Sequence, residues 1–94
     1  MLITDHAYAR AKERCGLNKG AFSRILEKAI AANITHSNTK NHLNKYIYKC
    51  VADKKYKFST LLYDKYLILH TNEVVITVYH IPQSLLPITK FLKD

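Results

Sequence analysis

The fold of this 94-residue chain follows first from residues 58–81, FSTLLYDKYLILHTNEVVITVYHI. Three runs rich in Val, Ile, Leu, Tyr and Thr are separated there by two breaks of two residues each. The runs are residues 58–63, 66–71 and 74–81, and the breaks are Asp64-Lys65 and Asn72-Glu73. This composition favours strands, and two-residue breaks are typical of tight hairpins. The stretch therefore predicts an antiparallel meander of three strands, which Pro82 ends because proline cannot donate a hydrogen bond to a sheet.

Two amphipathic helices are predicted before these strands, over residues 5–15 and about 18–32. Each contains apolar residues at the three- and four-residue spacing of a helix with one buried face. Both stretches also have residues that can cap their starts and end them in the left-handed conformation. The candidate caps are Thr4 or Asp5 and Asn18, and the candidate ends are Gly16 and Asn33.

Residues 43–51 fit two interpretations. Their apolar residues have helical spacing, but Tyr46, Tyr48 and Cys50 also alternate as they would in a strand. We prefer the helix. Residues 84–93 can form a short C-terminal helix, interrupted near Pro87.

Helices followed by antiparallel strands are typical of an α+β fold. We expect one small domain over residues 1–94, in which two or three N-terminal helices pack on one face of a three- to four-stranded antiparallel sheet. The other face is expected to stay open and to present Thr77 and Tyr79 to a ligand.

The charge of the chain gives the first indication of function. Fifteen Lys and Arg against seven Asp and Glu give a net charge of +8, which favours polyanionic partners such as RNA. No sequence signature of nucleotide hydrolysis, zinc proteolysis or serine hydrolysis occurs. The acidic residues are few and scattered, which disfavours a metal-dependent nuclease. We therefore expect no cofactor and no metal.

The cysteines and the N-terminus bear on location. Cys15 and Cys50 are too few for a disulfide scaffold and too isolated for a zinc site. The first six residues lack the basic and apolar regions of a signal peptide, and the longest uncharged run, 74–89, is too short for a spanning helix. We expect a cytoplasmic protein with no membrane segment.

Three candidates for RNA chemistry lie on the first predicted helix. His6, Arg10 and Arg14 follow one another at four-residue intervals, so one imidazole and two guanidiniums share a face. Metal-free RNA cleavage needs a base for the 2′-hydroxyl proton, cations for the phosphorane and an acid for the leaving oxygen. These residues can supply that set, with His80 as a second acid or base. The competing interpretation is a surface imidazole and ordinary ion pairs with nearby glutamates.

A second group of residues is a candidate for nucleic-acid binding. Lysines interleave with tyrosines in the middle of the chain, a combination that allows phosphate contacts and base stacking. The candidates are Lys12, Lys45, Lys49, Lys54, Lys55, Lys57 and Tyr46. Half-buried structural tyrosines would give the same pattern without any ligand.

The opening helix TDHAYARAKER, residues 4–14, the second helix and the final strand VITVY, residues 75–79, together resemble small bacterial and phage proteins of the RelE, barnase and colicin-type ribonuclease superfamily. The resemblance covers most of the chain in element order. The residues that it places in an active cleft are His6, Arg10 or Arg14, and Thr77. It also implies an acidic antitoxin or immunity protein as a partner.

We therefore predict a metal-independent endoribonuclease of toxin or effector type, acting on tRNA or mRNA. The alternative is a non-enzymatic basic phage or bacterial accessory protein that binds nucleic acid or inhibits a host nucleoprotein, as an anti-defence protein would. Both functions explain the basic surface. Replacing His6 by Ala separates them, because loss of a neutral imidazole abolishes cleavage but leaves salt-dependent RNA binding.

Overall fold

The computed structural model of this chain describes residues 1–52 and 58–88 and confirms an α+β fold. Within these ranges the strands are β1 (Leu2–Ile3), β2 (Ser59–Tyr63), β3 (Tyr66–Thr71) and β4 (Val74–His80). The α-helices are α1 (Asp5–Cys15), α2 (Lys19–Ala32) and α3 (Asn41–Ala52). Two short 3₁₀ helices, at His36–Asn38 and Gln83–Leu85, precede α3 and follow β4.

The four strands form one sheet in the order β1-β4-β3-β2. Strands β2, β3 and β4 are antiparallel neighbours, so the predicted meander is confirmed. Strand β1 pairs parallel to β4, with Leu2 opposite Val74 and Ile3 opposite Val75. The sheet is therefore mixed, and the expectation of a purely antiparallel sheet is wrong. The sequence could not reveal β1, because a strand of two residues is too short to show alternation.

Helices α1 and α2 begin and end where the sequence predicts. The Oγ1 of Thr4 accepts a hydrogen bond from a backbone N–H three residues on at 3.0 Å, and the Oδ1 of Asn18 accepts the equivalent bond at 2.8 Å. Gly16 and Asn33 end the helices in the left-handed conformation, with φ of 68° and 51°. These caps satisfy backbone groups that helix ends otherwise leave unpaired.

Helices cover both faces of the sheet. Leu61 and Ile68 belong to a buried cluster on the first face, with α1 and α2, whereas Leu62 and Leu67 belong to a second cluster on the opposite face, with α3. Helices α1 and α2 share one face as expected, but the expectation that the other face stays open is wrong, because α3 covers it. The physical reason lies in β2 and β3, whose consecutive apolar residues are buried on both sides and need a cover on both.

A bulge in β4 changes which side chains share a face. The register between β3 and β4 shifts by one residue, so Ile76 has no partner on β3. Val75 consequently joins Val78 in the first-face cluster, although strict alternation predicts opposite faces for them. Thr77 and Tyr79 face the second side, where Thr77 pairs with a residue of the second cluster and Tyr79 packs against it.

The ambiguous stretch 43–51 is helical within α3, which confirms the preferred interpretation. Of the C-terminal helix predicted over 84–93, the structure contains the 3₁₀ helix Gln83–Leu85, and residues 89–94 lie outside the described residues. No helix in the described part of the chain is long and apolar enough to cross a membrane.

Candidate nucleic-acid interface

Arg14 lies in the last turn of α1, where this helix meets the edge of β4. Strand β1 pairs only with the first two residues of β4, so it leaves the rest of that edge uncovered. The Nη1 of Arg14 donates to the Oγ1 of Thr77 at 3.3 Å and to the carbonyl oxygen of Val78 at 3.2 Å. The guanidinium therefore occupies the edge of β4 beyond the end of β1.

The ring of Tyr79 packs against this guanidinium, and Tyr46 lies within electrostatic range of it. The central carbon of the Arg14 guanidinium lies 4.4 Å from the centre of the Tyr79 ring, within the range of a cation–π interaction. Tyr46 of α3 lies close enough to Arg14 and Tyr79 for both to affect the ionisation of its phenol. Burial raises the pKa of Tyr46, Cys50 and Tyr79 raise it further, and Arg14 opposes the rise. Part of the effect of Cys50 is a hydrogen bond with the Tyr46 phenol, so the hydroxyl is engaged within α3 and the aromatic ring is the part of Tyr46 that a ligand can contact.

A groove of about 460 Å³ continues this surface between α3 and the 3₁₀ helix Gln83–Leu85. Lys45 and Lys49, one helical turn apart and both exposed, line it together with Tyr46, and Ser84 lines it from the other side. We refer to this region as the cation–aromatic surface. Its residues are Arg14, Tyr46, Lys45, Lys49, Thr77 and Tyr79.

The arrangement places charged groups beside aromatic rings, which is the combination that a single-stranded nucleic acid requires. Lysines act as point charges for phosphates, and tyrosine rings can stack on bases. A guanidinium has five N–H groups, and the bonds of Arg14 to β4 use the Nη1 group alone. Arg14 stays exposed, so a phosphate can approach its remaining donors.

His6 and Arg10 lie further along α1. His6 is exposed in the first turn, eight residues before Arg14, which corresponds to about 12 Å along the helix axis. Arg10 is engaged locally, since its Nη1 donates to the Oε2 of Glu13 at 2.8 Å. The three predicted residues share a flank of α1, but Arg14 is the one that the structure brings to Thr77.

His80 ends β4 with a defined imidazole orientation. Its Nδ1 lies 2.9 Å from the carbonyl oxygen of Ile81, and its ring packs edge-on against Tyr66 at 5.9 Å between centres. Because a carbonyl oxygen can only accept, Nδ1 carries the proton of the neutral ring and Nε2 carries the lone pair. His80 is exposed, and alternation along β4 turns it away from the face of Thr77.

The remaining lysines predicted to bind nucleic acid are placed elsewhere. Lys12 is exposed and lines a depression between α1 and α2, apart from the groove beside α3. Lys54, Lys55 and Lys57 lie outside the described residues. Among residues 1–52 and 58–88, no three His, Cys, Asp or Glu side chains lie together as metal ligands would.

Sequence reasoning missed the contact of Arg14 with Tyr79 and the part of the groove wall formed after β4. Arg14 and Thr77 are 63 positions apart, so no local pattern connects them. The local sequence signal was alternation along β4, which places Thr77 and Tyr79 on the same face of the strand. It did not reveal that an arginine would reach them across the strand edge.

Known proteins give no guide to this surface. No family model matches the chain, and neither a search of curated proteins nor a search of solved structures found a match. The assignment of a function therefore depends on the geometry described above.

Proposed function

We propose that this protein binds single-stranded RNA through the cation–aromatic surface. The observation that carries the proposal is the placement of Arg14, held by Thr77 and the Tyr79 ring, beside Tyr46 and a groove lined by two lysines. This function matches the non-enzymatic accessory class that the sequence predicts as an alternative. The predicted cytoplasmic location would give access to tRNA and mRNA.

The chemistry of the surface favours an unpaired strand over a duplex. Tyrosine rings stack on bases that are not already stacked in a helix, and sequence-specific RNA binding usually targets such bases. The hydrogen bonds and ring contact of Arg14 hold the guanidinium in place before a phosphate arrives. A preorganised group loses less conformational entropy on binding. The net charge of +8 adds long-range attraction.

A salt titration of RNA affinity tests the proposal. We expect the wild-type protein to bind a short fluorescent single-stranded RNA, with an affinity that falls as salt rises. The double change Lys45→Ala and Lys49→Ala removes two phosphate contacts, so the slope of log affinity against log salt should decrease by about 1.4, since each contact on a single strand contributes about 0.7.

The matched control removes the same charge from α2. Arg24→Ala with Lys28→Ala takes two exposed cations from one turn of that helix, which covers the first face of the sheet. We expect its salt slope to stay at the wild-type value. An equal decrease in both double variants would show that overall charge alone drives binding and would overturn the assignment to this surface.

A second candidate function is metal-independent RNA cleavage, and the imidazole of His80 favours it. Its Nδ1–H is held by Ile81, which leaves Nε2 to accept a proton, and Arg14 can stabilise charge on a phosphorane. The resemblance to RelE, barnase and colicin-type ribonucleases supports the same chemistry. An acidic antitoxin or immunity protein, which that resemblance implies, would complement the basic groove.

Cleavage is tested by incubating the protein with total bacterial RNA in EDTA. We expect bands that end in 2′,3′-cyclic phosphate, lost in His80→Ala and retained in His6→Ala. His80 follows by two residues Val78, whose carbonyl accepts from Arg14, whereas His6 lies about 12 Å along α1 from Arg14. Bands that are retained in His80→Ala and lost in His6→Ala would instead identify His6 as the base. Intact RNA from a wild-type protein that still binds it would reject the ribonuclease and leave the binding function.

A further inference from the structure

A second and larger cleft, of about 570 Å³, lies where β2 begins and β3 ends. It is lined by the end of α2, by His36 and Ser37 of the first 3₁₀ helix, and by His70 of β3. His70 pairs with Val75 of β4, and no residue of the cation–aromatic surface is among the described residues that line this cleft. The cleft is therefore separate from the proposed RNA-binding surface.

Two histidines in the walls of this cleft each have a buried nitrogen without a hydrogen-bond partner among the described residues. These atoms are the Nε2 of His36 and the Nδ1 of His70. Buried polar atoms are paired in the great majority of cases, so two such atoms around one cleft call for an explanation. The backbone N–H of His36 donates to the Oγ1 of Thr60 at 2.8 Å, which fixes the 3₁₀ helix against β2.

The described part of the cleft lining is uncharged, in a protein with a net charge of +8. This part of the lining contains no Lys, Arg, Asp or Glu side chain. Burial lowers the pKa of His70, and a hydrogen bond with the backbone of Asn72 opposes this shift. Because His70 already donates to the backbone carbonyl of Asn72, the unpartnered Nδ1 of its neutral ring can only accept, whereas His36 can present its Nε2 as a donor or an acceptor. The described walls therefore suit a molecule that carries both hydrogen-bond donors and acceptors.

The apolar part of the lining suits a flat ring. Ile30, Val51, Phe58 and Leu61 line the cleft beside the polar groups. The volume lies within the range of small-molecule sites, which are mostly apolar with a few polar groups that fix orientation. A heteroaromatic ring with donors and acceptors on its edge would fill the cleft between these side chains.

We propose that this cleft binds an uncharged purine base, supplied either as a free nucleoside or as an unstacked base of an RNA strand. With a small rotation of each ring, His36 and His70 would pair with the edge of the purine. Ser37, whose hydroxyl lies 2.8 Å from that of Thr35, is exposed and lines the cleft. The nucleoside source does not depend on the proposed RNA-binding function.

A titration followed by nuclear magnetic resonance tests this site. Adenosine is added to protein labelled with ¹⁵N in its histidines, and the imidazole nitrogens are observed. We expect saturable shifts at His36 and His70. Ser37→Trp, at an exposed position that can carry a larger side chain, should block the cleft and weaken binding at least about tenfold, equivalent to ~1.4 kcal/mol. Lys28→Ala removes an exposed side chain outside the described cleft lining and should leave the affinity unchanged.

A second titration uses a short single-stranded adenosine oligonucleotide. Shifts with adenosine alone identify a nucleoside site, and shifts with the oligonucleotide but not with adenosine identify a base supplied by RNA; both results support the purine site. Absence of shifts at both histidines with either probe would overturn it, as would equal shifts with inorganic phosphate. The adenosine titration contains no RNA, so its failure is distinguishable from failure of RNA binding at the cation–aromatic surface.

Discussion

The two faces of the sheet are packed by different kinds of side chain. On the first face, α1 and α2 contribute Ala7, Ala11 and Ala29, which are fully buried and allow a close approach to the strands. On the second face, the larger Leu43 and Ile47 of α3 fill the space above the sheet. The cation–aromatic surface lies where the two layers meet at β4, with Arg14 from the first and Tyr46 from the second. The cation–aromatic surface therefore depends on both layers, because neither layer alone provides all of its residues.

Truncation of the buried core on either face should have the largest effect. Phe22→Ala on the first face is expected to lower the free energy of unfolding by about 3–5 kcal/mol, and Ile47→Ala on the second by about 2–5 kcal/mol, because both side chains are fully buried. Chemical denaturation measures both values. Tyr48→Ala, at a position of α3 that is 63% exposed, is the control and should change stability by less than about 0.5 kcal/mol. An Ile47→Ala protein as stable as wild type would show that α3 is not part of the cooperative core.

The contribution of the second face to RNA binding is tested by a pair of tyrosines. Tyr46→Ala should weaken binding of single-stranded RNA by about 1–3 kcal/mol, the usual value of one stacked base. Tyr48→Ala removes from the same helix an exposed ring that does not line the groove. The free energy of binding should therefore change by less than ~0.5 kcal/mol, which corresponds to about twofold in affinity. Equal losses in the two variants would contradict a specific role for Tyr46.

The link between the two layers at β4 is tested at Thr77. Thr77→Val removes the hydroxyl that accepts from Arg14 and keeps the shape of the side chain, so stability should fall by about 1 kcal/mol. Thermal denaturation checks this value. The same change in an Arg14→Gln background should cost less, because the hydrogen bond is already lost. Strictly additive effects would mean that the two side chains do not interact in solution.

The caps of the first face should contribute about as much as this single hydrogen bond. Thr4→Ala and Asn18→Ala are each expected to lower the free energy of unfolding by about 1 kcal/mol, because each removes an acceptor for a backbone N–H at a helix start. Thr4→Ser and Asn18→Asp keep the acceptor and should restore most of the loss. Failure of these conservative variants to do so would assign the effect to packing.

The smallest expected effect concerns pH. Because burial lowers the pKa of His70 below its ordinary value of 6.5, the unfolded chain takes up a proton more readily than the folded one. The stability contributed by neutral His70 is therefore complete above about pH 6.5 and declines as the pH falls towards the lowered pKa. This decline is measured by chemical denaturation of wild type and His70→Gln at several pH values between about 7.5 and 5, a range that brackets the ordinary histidine pKa. A pH dependence unchanged in His70→Gln would exclude His70 as its source.

The sequence predicted elements whose signals are local. Thr4, Gly16, Asn18 and Asn33 mark the helix ends, and the breaks at 64–65 and 72–73 mark the hairpins. It did not predict the parallel pairing of β1 or the position of α3 on the second face, since both depend on contacts between distant parts of the chain. The consecutive apolar residues of β2 and β3 did contain the signal for a sheet covered on both sides.

The candidate site was predictable to a similar extent. The shared flank of His6, Arg10 and Arg14 follows from helical spacing alone, but which of them reaches β4 depends on where the helix ends on the sheet. Thr77 was predicted from strand alternation and from a resemblance. Its hydrogen bond with Arg14 depends on how α1 packs against β4. Ile76 shows the limit of strand alternation, because a bulge there alters the facing of Val75.

Because β1 is short, most of the β4 edge is not paired with it, and this edge is a potential place for self-association. An uncovered strand edge presents unpaired backbone groups, which can recruit a strand from a neighbouring molecule. Arg14 donates to the carbonyl oxygen of Val78 at this edge and places a positive charge there, and both features hinder the approach of another strand. The same side chain that is proposed to contact RNA is therefore expected to oppose pairing with a second strand, so its replacement by an uncharged residue should lower solubility even where no nucleic acid is present.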